Sequence, residues 1–164
     1  MNMQQLIEQL KRNPPSDGTV VMFKSTVAGH HVFNKKPIPG MIFPLKMTRE
    51  RNNHIHPNAF LIESGPANLY KKEIHARGEE QDLFGQKFGR CPRALADILA
   101  PLFDNGDIKQ GRVVCTGKRL CYGNVVGGGK HLECIYMMKS KDTEAASRLV
   151  NSLSSNKYDI VFPW

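Results

Sequence analysis

Residues 88–106 read FGRCPRALADILAPLFDNG, and the character of the chain changes partway along them. The first residues close a short strand expected over 83–88. Pro92 then stands where a helix accepts proline, because the first-turn N–H that it lacks has no partner anyway. Leu95, Ile98, Leu99 and Leu102 follow at helical spacing. Pro101 removes a helical donor and crowds the preceding turn, so the helix is expected to end or kink near its last turn. Asp104-Asn105-Gly106 closes it. Lys87, Arg90 and Arg93 recur every third residue across this joint. Cations beside the outward N–H groups of a helix start make a natural place for an anion.

Working outward, the same logic assigns the other elements. Leu6, Ile7 and Leu10 share one helical face, and Asn13-Pro14-Pro15 stops that helix before a turn at Ser16-Asp17-Gly18. β-branched and aromatic residues predict strands over 19–28, 41–47 and 59–62, with a turn-prone stretch over 34–40. Residues 64–82 read as a polar loop or insertion. Downstream, strands are predicted over 112–116 and 131–138, broken by Gly127-Gly128-Gly129. A last helix over 142–153 buries Ala145, Ala146, Leu149, Val150 and Leu153. Six short strands with two internal helices make an α+β chain, mainly β, built on a small barrel or a strongly curled sheet. The expected organisation is an N-terminal helix and linker over 1–18, a barrel domain over 19–155, and a tail or added strand over 156–164.

A length of 164 residues suits one domain with one core. Lys and Arg number 23 against 15 Asp and Glu, a formal charge of +8, which favours a polyanionic partner. Cys91, Cys115, Cys121 and Cys134 have neither zinc-knuckle nor redox spacing and read as reduced thiols. The first ten residues lack a secretory pattern, and no apolar run is long enough to span a membrane. The expected protein is soluble and intracellular, in nucleus or cytoplasm, with no membrane partner.

Catalytic chemistry is hard to place. Asp104 and Asp107 flank Asn105-Gly106 and fit a helix-terminating turn. Gly127-Gly128-Gly129-Lys130 has the look of a phosphate cradle, but His131 stands where a P-loop needs a hydroxyl, so a hairpin turn is the simpler reading. His54 and His56 alternate, yet two ligands do not make a metal site. No metal and no cofactor are expected. The basic clusters are more informative: Lys46, Arg49 and Arg51; Lys87, Arg90 and Arg93; Lys118-Arg119; and Lys130-His131. Arg and Lys are what phosphates require. Phe33, Phe60, Phe88 and Tyr122 are candidates to stack on bases.

Two segments resemble the HIRAN family. Residues 45–60 read LKMTRERNNHIHPNAF, in which Arg49, Glu50, Asn53, Asn58 and Ala59 match the family pattern without a gap. Residues 88–106 look like the family's Gly-Tyr-Ile-Pro-Lys-x-Leu-Ala helix running to an Asp-x-Gly turn. The likeness extends in order over about 19–155. It implies an OB-like small six-stranded barrel with two helices, and a module that grips the 3′-hydroxyl end of single-stranded DNA. By position it places Asn53 and His56 near the terminal nucleotide, His31, Val32 and Phe33 at a base-stacking edge, and Arg90 and Arg93 on the backbone. The family's Asp is His56 here, and its Pro-Tyr is His54-Ile55.

The expected function is therefore non-catalytic nucleic-acid binding, with single-stranded DNA or RNA as partner. The candidate residues are His31, Phe33, Lys46, Arg49, Asn53, His56, Arg90, Arg93 and Lys130. The alternative is a scaffold subunit of a larger protein or ribonucleoprotein assembly that reuses this fold.

Overall fold

The computed structural model describes residues 2–12, 18–28, 43–64, 87–121 and 130–161. Six strands, β1 (Val20–Ala28), β2 (Phe43–Arg49), β3 (Phe60–Ser64), β4 (Lys87–Arg90), β5 (Ile108–Cys121) and β6 (Lys130–Ser140), form a closed barrel in the order β1-β4-β3-β2-β5-β6. Every neighbouring pair is antiparallel. Period-two alternation explains why these segments pair this way. In β1, Val21, Phe23 and Val27 enter the main core, while Met22 joins a second cluster on the opposite face. In β6, Leu132, Cys134, Tyr136 and Met138 point to the main core and Ile135 to the second cluster.

Among the described residues three helices accompany the barrel: α1 (Met3–Arg12), α2 (Arg93–Asp104) and α3 (Thr143–Ser155). The second and third put Leu95, Ala96, Leu99 and Ala100, and Ala146, Leu149 and Leu153, into the main core. α2 starts right after Pro92, continues through Pro101 and stops at Asp104, where Gly106 takes the positive φ (84°) that the turn needs. The Asp142 carboxylate caps α3 by accepting from Ala145 N at 2.8 Å.

The N-terminal helix is not a loose appendage. Asn2 and Gln5 exchange side-chain and backbone hydrogen bonds at its start, both 2.9 Å, a reciprocal cap. Leu6 is buried in the second cluster with Met22, Ile135 and Val161, and Met3, Ile7 and Leu10 pack alongside. The C-terminal residues meet the same region. β1 joins β4 through the single pair Ala28↔Arg90. Farther along β1, Lys24 N donates to Asp159 O at 2.9 Å and Val161 N to Met22 O at 2.8 Å, flanking an isolated antiparallel bridge between Phe23 and Ile160.

Element boundaries differ from expectation where the alternation carries charges. β5 extends well beyond 112–116 on both sides, because its outward positions tolerate Gln110, Arg112 and Lys118, which are exposed. The strand expected over 83–88 is seen as β4, over Lys87–Arg90. The loop expected over 64–82 lies, beyond Ser64, outside the described residues, as do the glycine break at 127–129 and the candidates His31 and Phe33.

Two buried polar features are settled by geometry. Tyr136 stacks on Phe23 at 5.4 Å and donates its hydroxyl to Thr26 O at 2.6 Å. His131, considered above as a neighbour to phosphate, is instead buried, with Nδ1 2.7 Å from Thr26 Oγ1. Burial pushes its pKa below the ordinary histidine value, because the charged ring would lose its hydration. The unfolded chain then takes up this proton more readily than the folded one, so stability rises with pH. Stability is therefore expected to fall as pH drops below about 6.5, the unfolded histidine value. Urea midpoints between pH 5 and 8 will show this slope, and it should flatten in His131→Asn.

Gly89 supplies a second test. A Cβ there would sit 2.5 Å from Ala28 O and 2.6 Å from Val27 Cγ1, at the closing β1–β4 pair. Gly89→Ala is expected to cost about 1–3 kcal/mol in urea denaturation, because the obstruction is largely backbone and cannot swing aside.

Candidate nucleic-acid interface

Between β2 and β3 the chain makes a loop over residues 50–59, and its shape comes from its own polar side chains. Glu50 N donates to Ala59 O at 2.9 Å, closing the base. Asn53 N donates to Glu50 O at 3.2 Å. The Asn53 side-chain oxygen accepts from Ile55 N at 3.1 Å and His56 N at 2.9 Å, an Asx turn that reverses the chain. Ala59 N then donates to His56 O at 3.0 Å. Asn53 thus builds the tip of the loop, a structural task alongside any contact with a ligand.

The loop is tied to α2 at two places. Asp97 Oδ1 accepts from Asn58 Nδ2 at 3.0 Å and lies 3.2 Å from His56 Nε2. These bonds, Asn58 first and His56 second, hold the Asp97 carboxyl below the usual carboxylate range. At the other end of the helix, Asp104 receives the Arg49 guanidinium through Nη2 at 3.0 Å and Nε at 3.3 Å, and Arg51 Nη1 at 3.1 Å. The Arg49 fork chiefly pulls the Asp104 pKa down. Arg49 Nη1 also donates to Pro57 O at 2.8 Å and Ala59 O at 3.2 Å, and its guanidinium lies 5.4 Å from the Phe60 ring centroid.

This changes the assignment of several candidates. Arg49, expected to contact phosphate, has a side chain only 12% exposed and acts as an internal brace. Asp104 is more than a turn residue, because it anchors two arginines. Asp107 likewise pairs with Lys141 at 2.9 Å and Arg148 at 3.3 Å. Phe60 and Phe88, candidates for base stacking, are both fully buried in the main core.

What remains outside is a groove of about 750 Å³ lined by residues 49–56 and Arg90. Arg90 Nε donates to Glu50 Oε1 at 2.7 Å and Nη2 to Glu50 Oε2 at 3.3 Å. The pairing lowers the Glu50 pKa, so this carboxylate is ionised at neutral pH. Arg51 stands 65% exposed. At the loop tip Ile55 is 89% exposed, the one large apolar side chain so exposed among the described residues. Arg93 is exposed at the first position of α2, where Pro92 offers no side-chain cap. Lys46 is exposed on β2. Lys130 begins β6, with its side chain outside the described residues, and His31 and Phe33 fall outside them too. The structure thus brings Arg49, Asn53, His56 and Arg90 to one groove, and Arg93 is not among the residues that line it. Sequence reasoning weighed His54 only as half of a metal pair and His54-Ile55 only as the replacement of the family's Pro-Tyr, and left both out of the binding set, although an isolated apolar residue between two histidines in a polar loop was a readable signal.

No protein-family model matches the chain, and no curated protein matches it. Solved structures do. The crystal structure of the HIRAN domain of human HLTF is 16% identical, with a TM-score of 0.55, covering 90% of this chain and 100% of that one. The NMR structure of the HLTF HIRAN domain in its DNA-bound conformation is also 16% identical, with a TM-score of 0.50, covering 82% of this chain and 87% of that one.

This chain has the fold of the HLTF HIRAN domain. The two sequence segments that resemble the family are the two that form the groove: the β2–β3 loop and the β4–α2 joint. Within this HIRAN fold the brace between them is the easiest feature to test. Arg49→Ala should destabilise the protein by about 2–3 kcal/mol, since a charged donor group is lost and two loop carbonyls lose it together. Arg49→Lys should not restore the loss, because a single ammonium cannot reproduce the fork. Chemical denaturation of both variants checks this.

Proposed function

We propose that this chain is a non-catalytic nucleic-acid-binding module that takes single-stranded DNA, at its 3′-hydroxyl end, into the groove beside the β2–β3 loop. The observation that carries the reading is Ile55. It stands almost fully in water on a loop braced by the Asn53 turn, the Asp97 tether and Arg49. An apolar side chain held rigidly outward, with Arg51, Arg90 and the imidazoles of His54 and His56 around it, suits the mixed surface of a terminal nucleotide. Ile55 offers apolar contact to base or sugar, Arg90 and Arg93 offer charge to the backbone, and His56 offers a ring nitrogen to a terminal hydroxyl. The HLTF HIRAN domain, solved in a DNA-bound conformation, supports the choice of ligand class.

Fluorescence anisotropy at two salt concentrations tests the reading. The ligands are matched single strands ending in a 3′-hydroxyl or a 3′-phosphate, and a blunt duplex, in DNA and RNA forms. Preference for the free 3′-hydroxyl single strand is expected. Equal affinity for all ends would reduce the module to a general strand binder. Binding to none would leave the scaffold-subunit alternative. Ile55→Ala should weaken strand binding by roughly 5- to 10-fold, the lower range for loss of one base contact. Arg93→Ala should weaken every strand alike and lower the salt slope by about 0.7.

A further inference from the structure

The outer wall of the barrel carries a row of cations that the groove does not use. Strand register puts Lys46 of β2 directly opposite Arg112 of β5 and, on its other side, opposite Glu63 of β3. Glu63 in turn pairs with Lys87 of β4. Partners in register face the same side of a sheet. Leu45, Met47 and Val113, the immediate neighbours of Lys46 and Arg112 along their strands, are buried in the core, so this row faces outward. Lys46, Lys87 and Arg112 are exposed, and Glu63 is half-buried.

The charges do not balance. Three cations share one carboxylate, and Lys46 and Arg112 oppose each other as like charges, an arrangement that costs stability in a sheet unless an anion relieves it. None of the ion pairs among the described residues involves Lys46, Lys87 or Arg112. The row also leads into the groove. Leu61↔Arg90 and Glu63↔Lys87 place Arg90 and Lys87 on the same outer side of β4, across the bulge between them. Lys87 is close enough to help lower the Glu50 pKa electrostatically.

We infer that this row, Lys87–Lys46–Arg112, is a backbone track for nucleic acid, over which a strand whose end lies in the groove runs across β4, β3, β2 and β5. The inference rests on the function proposed above. Three strand-to-strand steps make the row roughly 14 Å long, enough for several phosphates. A row of cations without an apolar anchor at its centre suits phosphates better than a protein surface, which binds through buried apolar or aromatic anchors.

The test compares the parent protein with Lys46→Ala/Lys87→Ala/Arg112→Ala, whose three positions are exposed and whose thermal melting should be no lower than the parent's. Binding of single-stranded DNA with a free 3′-hydroxyl is measured for strands of 4 and 15 nucleotides across a salt series. For the 15-mer, affinity should fall about tenfold or more and the salt slope should drop by about 2, three phosphate contacts at about 0.7 each. The 4-mer, confined to the groove, should bind both proteins equally. If the triple variant binds the 15-mer with parental affinity and slope while Ile55→Ala still weakens it, the track is wrong and the groove stands. Loss of polyglutamate binding with intact 15-mer binding would assign the row to an acidic protein and overturn the inference. A parent protein that binds neither length removes the proposed function and the track with it.

Discussion

The arrangement of the groove depends on one guanidinium. Arg49 leaves the end of β2, lies against the Phe60 ring, and places five donors in a plane where four acceptors wait: Pro57 O, Ala59 O and both oxygens of Asp104. A guanidinium is suited to this because its fork is rigid and stays charged at any physiological pH. Through it, the outgoing end of β2, the returning end of the loop and the far end of α2 become one unit. Asp97 fastens the other half of the loop to the start of the same helix. The loop is held at both ends against α2, and Ile55 projects from the Asn53 turn between those ties.

The division of labour among the cations follows from position rather than from residue type. Arg49 is covered because β2 ends beneath the loop. Arg90, two strands over, is half-exposed and shared with Glu50, while Arg93, at the first position of α2, is exposed. Arg51 pairs with Asp104 but keeps most of its surface in water, where an ion pair is weakly held. A formal charge of +8 describes none of this. What a ligand would meet is the subset of cations left over after the fold has used its own.

Much of the architecture was legible because period and burial coincide. Leu95 and Leu99, or Val21 and Phe23, announce their elements by spacing alone, and both end in the core. The brace was not legible, since Arg49 and Asp104 are 55 residues apart and nothing local marks either as a partner. The same holds for Phe60. Its alternation with Ile62 pointed inward, yet aromatic type drew attention to stacking, and the core claimed it. Ile55 was legible as exposed but was read only as a departure from the family pattern: in a loop of Asn, His and Pro it has no helical or strand period that would bury it. The bridge of Ile160 to Phe23 was not legible, because nothing in residues 159–161 marks β1 as their partner.

The Glu50–Arg90 pair explains how so basic a groove keeps its shape when empty. Close cations repel, and a loop lined with Arg51, Arg90 and histidines would open without a counter-charge. Glu50 supplies it from the base of the loop, where its own N–H is already bonded to Ala59 O. Because its pKa is lowered chiefly by the Arg90 hydrogen bond, the carboxylate stays ionised to lower pH than an ordinary glutamate, and the stability it contributes is lost as pH falls below the ordinary glutamate value and through the lowered one. The pair orients Arg90 before any phosphate arrives, so less ordering remains to oppose binding. It also sets a threshold, since a ligand must offer Arg90 an anion good enough to share it with Glu50. A single carboxylate thus steadies the groove and favours ligands with strong, closely placed negative charge over weakly polar ones.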